Sequence, residues 1–329
     1  MTTVATRLLG ALVWPRTLDD LVELVAPLHS TTEIRARVID VVRETHDVST
    51  LVLEPNARWR GHRAGQHVML GIEIAGARRQ RCFSISSAEG ETPIRITVKA
   101  QPHGKVTPSI VSGALRGKIV TLSDPSGDFV LPDVLPERIL FLSGGSGVTP
   151  VMSMMRTLLA RGHRGRVAFA HWARSADDVI FDHGELFFGH FRAGDLMEIV
   201  PDFHLWDTWL CGPDPMMRVV RAAFEARGAE HRVRTERFSL AEARAGSEGE
   251  VRFVRSQRTA KGKGPILPMA EAAGVNPQSG CRMGICKSCV CRKVTGTTRD
   301  VRTGELSNEP NVDIQLCINA PVGAVEIDL

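Results

Sequence analysis

Gly280-Cys281-Arg282-Met283-Gly284-Ile285-Cys286-Lys287-Ser288-Cys289 carries three cysteines, and a fourth, Cys317, follows 28 residues after the last of them. The pattern C-x4-C-x2-C…C is the spacing of a [2Fe–2S] cluster held by four thiolates. Its logic is geometric. A loop wrapped around two irons must bring thiolates to both while its amide N–H groups face the sulfurs. Glycines at 280 and 284 let the backbone come close, and Cys317 arrives from a distant segment to complete the set Cys281, Cys286, Cys289 and Cys317. A structural zinc site is the alternative, but such sites pair their ligands in C-x2-C knuckles, two and two. A three-plus-one arrangement with a four-residue gap fits that poorly. Cys291 falls outside the spacing and is expected to be a packed thiol. The chain has seven cysteines, an odd number, and no evident export signal, so ligation is favoured over a disulfide framework.

Working outward from this loop, 251–329 reads as one compact unit. The preceding stretch 239–250 (SLAEARAGSEGE) is small and charged, with Leu240 its one large apolar residue, and reads as a linker. At 329 residues, with 43% hydrophobic and 24% charged content, the chain is long enough for two or three globular domains. The formal charge of +4 is small and dispersed, which argues against nucleic-acid binding. No run approaches the roughly 18 apolar residues of a membrane span, and the short N-terminal apolar patch Leu8–Trp14 lacks a small-residue cleavage site. A cytoplasmic location is the expectation.

Residues 1–32 look helical, with Leu18, Leu21, Val22 and Val25 at helical spacing. The plain reading is a helix packed on the protein body; the other is a docking surface for a membrane or partner. From 33 to 133 the texture is β, with short runs (Arg35–Val42, Ser49–Leu53, His67–Ile74, Ile94–Val98, Ile119–Leu122) broken by Gly, Pro and Asp turns. Strands without intervening helices predict an antiparallel barrel or sandwich. From 134 to 238 strands alternate with helical stretches: Arg138–Leu142, a helix over Pro150–Arg161, Val167–His171, a helix-like segment, Trp209-Leu210-Cys211, and a helix over Met216–Arg227. That alternation predicts a parallel sheet covered by helices.

Three short motifs punctuate the β region: Arg81-Cys82-Phe83-Ser84, Gly104-Lys105-Val106-Thr107 and Pro125-Ser126-Gly127-Asp128-Phe129. Two more mark the α/β region. Gly144-Gly145-Ser146-Gly147-Val148-Thr149-Pro150 lies between a predicted strand and helix, where exposed amides and the helix dipole stabilise a pyrophosphate. Cys211-Gly212-Pro213-Asp214-Pro215-Met216-Met217 follows a later strand. Each alone is weak, and each could be an ordinary strand or loop. Arg174-Ser175 follows the second strand, where dinucleotide-binding folds meet the ribose 2′ position. Arg and Ser suit a 2′-phosphate, although Asp177 and Asp178 stand close by.

Taken in this order, the motifs resemble those of ferredoxin–NADP reductase-type flavoproteins, and the domain order resembles the flavin–NAD(P)–ferredoxin fusions of the phthalate-type oxygenase reductases. The resemblance implies a multidomain fold: an N-terminal helix, an antiparallel flavin β-barrel, an α/β parallel-sheet NAD(P) domain and an α+β ferredoxin-like β-grasp domain. It further implies that Arg81 contacts a flavin phosphate, Phe83 lies against the ring system and Ser84 sits near the reactive N5. The usual residue at 83 is Tyr, and this chain has none. Gly104, Lys105, Val106 and Thr107 would form a second phosphate contact. Gly144, Gly145, Gly147, Thr149 and Pro150 would cradle the dinucleotide. Cys211, Gly212, Pro213 and Met216 would line the nicotinamide pocket, with Cys211 and Ser84 at the site of hydride transfer. The implied cofactors are FAD, with FMN as in phthalate-type relatives the alternative, and a [2Fe–2S] cluster. The implied reductant is NADPH, with NADH the alternative.

The N-terminal residues Trp14-Pro15, Leu21-Val22-Glu23-Leu24 and Pro27-Leu28 resemble actinobacterial reductases that serve membrane-bound acyl-CoA desaturases. That resemblance implies a desaturase or hydroxylase acceptor and peripheral docking at the inner face of the cell membrane. The rival acceptors are a soluble Rieske oxygenase or a P450, and a redox-sensing flavin/Fe–S module is the rival of another class.

Overall fold

The computed structural model describes residues 22, 25–74, 76–101, 104, 106–181, 184–192, 194–238 and 248–329. The chain divides into two compact units, Met1–Glu236 and Arg237–Leu329. The expected N-terminal helix lies mostly outside the described residues; Val22 and Val25 are helical, and a turn at Pro27–Leu28 follows.

The first unit begins with β1 (Ile34–Thr45), β2 (Val48–Pro55), β3 (His67–Ile74), β4 (Ala77–Ser84), β5 (Ile94–Lys99) and β6 (Ile119–Leu122), with the short helix α1 (Thr107–Val111) between the last two strands. The strands form one antiparallel sheet in the order β4-β3-β6-β1-β2-β5. An isolated antiparallel bridge from Ile85, just past β4, to Ile96 on β5 joins the two ends of that order, which makes the sheet barrel-like. The alternation of apolar and polar residues along β1, with Ile34, Ala36 and Val38 buried, sends one face inward. Leu51, Leu53, Leu70, Ile85, Ile94, Ile96 and Ile110 fill the interior, each side chain contributing about 1.5–3 kcal/mol by burial.

Five parallel strands follow: β7 (Arg138–Gly144), β8 (Arg166–Ala173), β9 (Glu185–Phe188), β10 (Asp207–Cys211) and β11 (Val233–Glu236). Their order is β11-β10-β7-β8-β9. The helices are α2 (Val148–Ala160), α3 (Asp195–Ile199) and α4 (Asp214–Glu225). α4 starts two residues earlier than its apolar pattern predicts because Pro215 is tolerated in the first turn. One expectation fails. The segment after β8 is not a helix but a single turn of 3-10 helix at Ala176–Asp178, the edge strand β9 and the five-residue α3. Residues 174–184 are all that separate two parallel, paired strands, too short a connection for the usual crossover helix. α2 ties this sheet to the barrel: Ser153 Oγ donates to the Ser87 carbonyl at 2.7 Å, and Arg156 Nη1 to that of Ser86 at 2.5 Å.

The second unit holds β12 (Glu248–Phe253), β13 (Arg258–Lys263), β14 (Val290–Asp300), β15 (Leu306–Ser307), β16 (Val312–Gln315) and β17 (Asn319–Ile327). They form a mixed sheet, β13-β12-β17-β14-β15 with β16 paired to β14, in which β12 and β17 are parallel. Helix α5 (Ile266–Ala272) adds Ile266, Leu267 and Ala270 to a core shared with Phe253, Leu316 and Ile327. The expected linker is shortened: 239–247 lie outside the described residues, while Glu248–Glu250 belong to β12. Gly249 is opposite Gly323 there, and a Cβ on Gly249 would come within 2.4 Å of the Gly323 carbonyl oxygen.

Candidate functional site

β7 and β10 are neighbours in the sheet whose connections run to opposite sides, and the crevice beyond their carboxyl ends is where such sheets bind ligands. Cys211 ends β10 opposite Ser143, one residue before the glycine turn. A Cβ on Gly147 would lie 2.1 Å from the Cys211 carbonyl oxygen, and one on Gly144 would lie 2.7 Å from Pro213 Cδ. The glycines thus let the β7–α2 turn sit directly against the β10–α4 turn. Gly145, at φ +54°, has open space where a Cβ would be. Among the described residues no side chain caps the α2 N-terminus. Thr149 Oγ1 donates to the Ser146 carbonyl at 3.1 Å, closing the turn on itself, and Pro150 is buried behind it. Gly212 backs on Gly144, and Met216 is buried beneath both.

Cys211 is 1% exposed, and burial, with the neighbouring Glu236 charge, pushes its thiol well above the ordinary range. Glu236 ends β11 as the register partner of Cys211. Burial pushes its carboxyl up against the opposing pull of His67. Its Oε1 lies 3.5 Å from His67 Nδ1, and its Oε2 has no partner among the described residues. The other His67 ring nitrogen is 3.1 Å from Ser126 Oγ. Gly127, at φ +113°, admits the imidazole, since a Cβ there would be 2.9 Å from Nδ1. Across the β3–β4 ladder, the partner of His67 is Ser84, whose buried Oγ is also unpartnered among the described residues. Ser84 and Cys211 belong to the sequence motifs. His67 and Glu236, which join barrel to crevice between them, are isolated polar residues with no motif to mark them. His171 also escaped: it is fully buried, its Nδ1 is 2.8 Å from Ser143 Oγ, and burial holds its pKa down to about 4.

On the barrel, Arg81 and Phe83 face Leu70 and Val68 across the ladder. Arg81 Nη1 donates to the Gln80 carbonyl at 2.7 Å, and half-buried Phe83 packs on the barrel core. Thr107 opens α1 and accepts the Gln101 amide on Oγ1 at 2.8 Å, leaving its O–H as a donor. Gly104 lies against it, Val106 is buried, and Lys105 lies outside the described residues. A buried Ser84 hydroxyl without a partner among the described residues fits a flavin: burying such a hydroxyl unpaired is unfavourable, and a ring acceptor would satisfy it. Arg174 and Ser175 are not poised as open donors. Arg174 binds Asp178 through Nε at 3.1 Å and Nη2 at 2.5 Å, and Ser175 Oγ donates to the same carboxylate at 3.2 Å.

In the second unit the loop amides aim at sulfur. Cys281 Sγ accepts from the N–H groups of Met283, Ile285 and Cys286 at 3.3 Å, Cys286 Sγ from that of Cys281 at 3.2 Å, and Cys317 Sγ from that of Gly284 at 3.2 Å. Positive φ at Arg282, Gly284 and Lys287 turns the chain around them. A Cβ on Gly280 would be 2.7 Å from Cys286 Sγ. The neighbouring Cys289 and Cys317 thiols shift one another in opposite directions, Cys289 down and Cys317 up. Two sulfurs on one zinc would lie under about 4.6 Å apart. Yet the group of three or more His, Cys, Asp or Glu ligand atoms found within 4.8 Å of one another, among the described residues, is His46, Asp47 and Asp178. No three of the four thiols therefore come as close together as one zinc position requires, and sulfurs that accept loop amides suit a two-iron cluster. Cys291 donates to the Asp328 carbonyl at 3.3 Å.

Residues 35–131 match the oxidoreductase FAD-binding domain family. An NADPH oxidoreductase of Mycobacterium tuberculosis is 37% identical over 94% of this chain and 88% of its own length. A stachydrine N-demethylase reductase subunit of Rhizobium meliloti is 28% identical over 89% of this chain and 96% of its own. Among solved structures, phthalate dioxygenase reductase superposes with a TM-score of 0.64 at 21% identity, over 91% of this chain and 98% of that one, a likeness of fold. With a FAD-binding domain and a relative matching over nearly its whole length, the chain belongs to the family of flavin-dependent oxidoreductases that includes the mycobacterial NADPH oxidoreductase.

Proposed function

We propose that this chain is the reductase component of an oxygenase system. It takes electrons from NAD(P)H, with NADPH the preferred donor, passes them through FAD to its own [2Fe–2S] cluster, and delivers them to a separate terminal enzyme. The observation that carries this reading is that one chain holds both the Ser84–Cys211 crevice and a four-cysteine loop whose amides already face the sulfurs. FAD supplies the two-electron to one-electron conversion when bound; the chain's residues bind and orient. Arg81 and Thr107 hold the flavin's phosphates, and Ser84 donates to its ring. Cys211 and Met216 shape a dry wall for the nicotinamide. Glu236, kept towards its protonated form by burial, and His67 hold the polar link between the two.

Cys281, Cys286, Cys289 and Cys317 hold the cluster. The mixed sheet with α5 and the amide-lined loop support the β-grasp ferredoxin reading of that unit. The proposed acceptor is a membrane-bound acyl-CoA desaturase or hydroxylase, with a soluble oxygenase or P450 the alternative. Among the described residues no helix is long and apolar enough to cross a membrane, so contact with such an acceptor would be peripheral. The named roles of two relatives, subunits of a stachydrine demethylase and a glycine betaine monooxygenase, support the delivery of electrons to a partner.

An anaerobic titration of the purified protein with NADPH, followed by visible absorption and low-temperature EPR, tests the relay. The expected result is flavin bleaching together with a rhombic signal of a reduced [2Fe–2S] centre. Bleaching with no such signal, in protein shown to contain iron, would overturn the internal relay.

A further inference from the structure

Four charges meet at the carboxyl end of β8. Arg174 is 71% exposed along its side chain, Asp178 only 10%. Lys99 Nζ, at the end of β5, lies 3.4 Å from Asp178 Oδ1 and 3.2 Å from Asp47 Oδ2. Asp47 sits in the β1–β2 turn, fixed by Thr45 Oγ1 at 3.1 Å, and reaches to within 4.0 Å of Arg174 Nη2. Two cations and two anions thus form a neutral set, with Lys99 and Asp47 from the barrel and Arg174 and Asp178 from the parallel sheet. His46, mostly exposed, is 3.8 Å from Asp47. Three ligand-type groups are close here, and both acids already hold cationic partners.

This arrangement bears on the 2′-phosphate. A phosphate monoester is best held by the two parallel N–H donors of an Arg fork. In this chain that fork and the Ser175 hydroxyl both rest on one carboxylate, Asp178. A phosphate entering here competes with Asp178 for the Nε and Nη2 donors of the guanidinium, and it meets like charge from both Asp178 and Asp47. A bare 2′-hydroxyl meets neither demand.

We propose that Asp178, backed by Asp47, is a specificity-determining acid of the nucleotide site. It holds Arg174 and Ser175 when no dinucleotide is bound and sets the discrimination between phosphorylated and unphosphorylated ribose. NADPH is accepted by exchanging the Arg174–Asp178 pair for an Arg174–phosphate pair, while Lys99 retains the displaced carboxylate. The inference rests on the reading of Arg174 and Ser175 as the ribose 2′ end of the dinucleotide site.

The test measures binding of 2′-phospho-AMP and of AMP to the full-length holoprotein by calorimetry, with NADPH and NADH kcat/KM alongside. Asp178→Asn should tighten 2′-phospho-AMP roughly tenfold, the scale of one hydrogen bond to a charged group, and leave AMP within about twofold. Asp47→Asn, which leaves the Arg174–Asp178 pair intact, should move the ratio the same way by less, and it carries the test if Asp178→Asn does not fold. Arg174→Ala should weaken 2′-phospho-AMP selectively. If Arg174→Ala acts selectively but neither acid variant shifts the ratio, or Asp178→Asn weakens 2′-phospho-AMP, the proposal for Asp178 is overturned while the Arg174 reading stands. If Arg174→Ala weakens both ligands equally, the underlying reading of the site falls, and the proposal with it.

Discussion

His171 shows how one side chain sets a pH limit on this fold. Its ring is buried on β8 with Nδ1 on Ser143 Oγ at 2.8 Å and Nε2 unpartnered among the described residues, so burial holds the folded pKa to about 4 against an ordinary 6.5. The unfolded chain therefore binds a proton between those values that the folded chain refuses. Stability from this residue is complete above pH 6.5, falls as pH drops through the window, and is lost below about pH 4, a change of about 3 kcal/mol. Urea unfolding midpoints measured between pH 4 and 7 should fall with pH in the wild type and fall less steeply in His171→Gln. Nothing in the sequence marks this histidine, nor His67 or Glu236. Each lies on a strand or at its end with no motif around it, and its role depends on partners 28 and 169 positions away: Ser143 for His171, and Glu236 for His67. Ser84 and Cys211 stand out in the sequence because their neighbours form short, ordered motifs. Arg174 was legible as a cation but not as a paired one, since its i,i+4 carboxylate is committed only once the 3-10 turn at Ala176–Asp178 forms.

Among the secondary-structure elements, the two turns that face each other across β7 and β10 are the most demanding. Their separation is set by Gly147, where a Cβ would stand 2.1 Å from the Cys211 carbonyl oxygen and 2.6 Å from its carbon. Both are backbone atoms, so the neighbour cannot rotate away, and Gly147→Ala must push the β10–α4 turn outward and carry Cys211 with it. A displacement near 1 Å at a reacting centre can lower rate by about 10²-fold. Stopped-flow reduction of the flavin by NADPH should slow by that order in Gly147→Ala. Gly113→Ala supplies the contrast: φ is +82° but the surrounding space is open, so it should lose about 1 kcal/mol of stability and leave the reduction rate unchanged. The β and α texture of the first unit was readable because β1, β2 and β3 run 8 to 12 residues and α2 and α4 run 13 and 12. The missing crossover helix after β8 was not. Helix-like composition there is overridden by a connection too short to hold a helix, and the apolar Leu186 and Phe187 join the sheet edge instead, with Phe187 stacked on Trp172 at 4.8 Å.

For the whole molecule, the division into Met1–Glu236 and Arg237–Leu329 has a functional consequence. Each unit has its own apolar core, one built on the barrel strands and one on Phe253, Ile266, Leu316, Ile318 and Ile327, so a lesion confined to the second should leave the first intact. Cys289→Ser is such a lesion. It removes one proposed thiolate, while the smaller serine keeps the place of a side chain only 3% exposed. The expected protein binds flavin in full, is reduced by NADPH at the wild-type rate, and turns over ferricyanide, which accepts electrons directly from flavin. It lacks the visible and EPR signatures of the cluster and no longer reduces a protein acceptor that depends on one-electron delivery. Iron content and flavin content measured on the same sample separate the cases. Loss of iron with flavin retained places the two redox centres in independently folding units. Loss of both would show that the cysteine loop stabilises the entire chain, and the division into two self-sufficient cores would then be wrong.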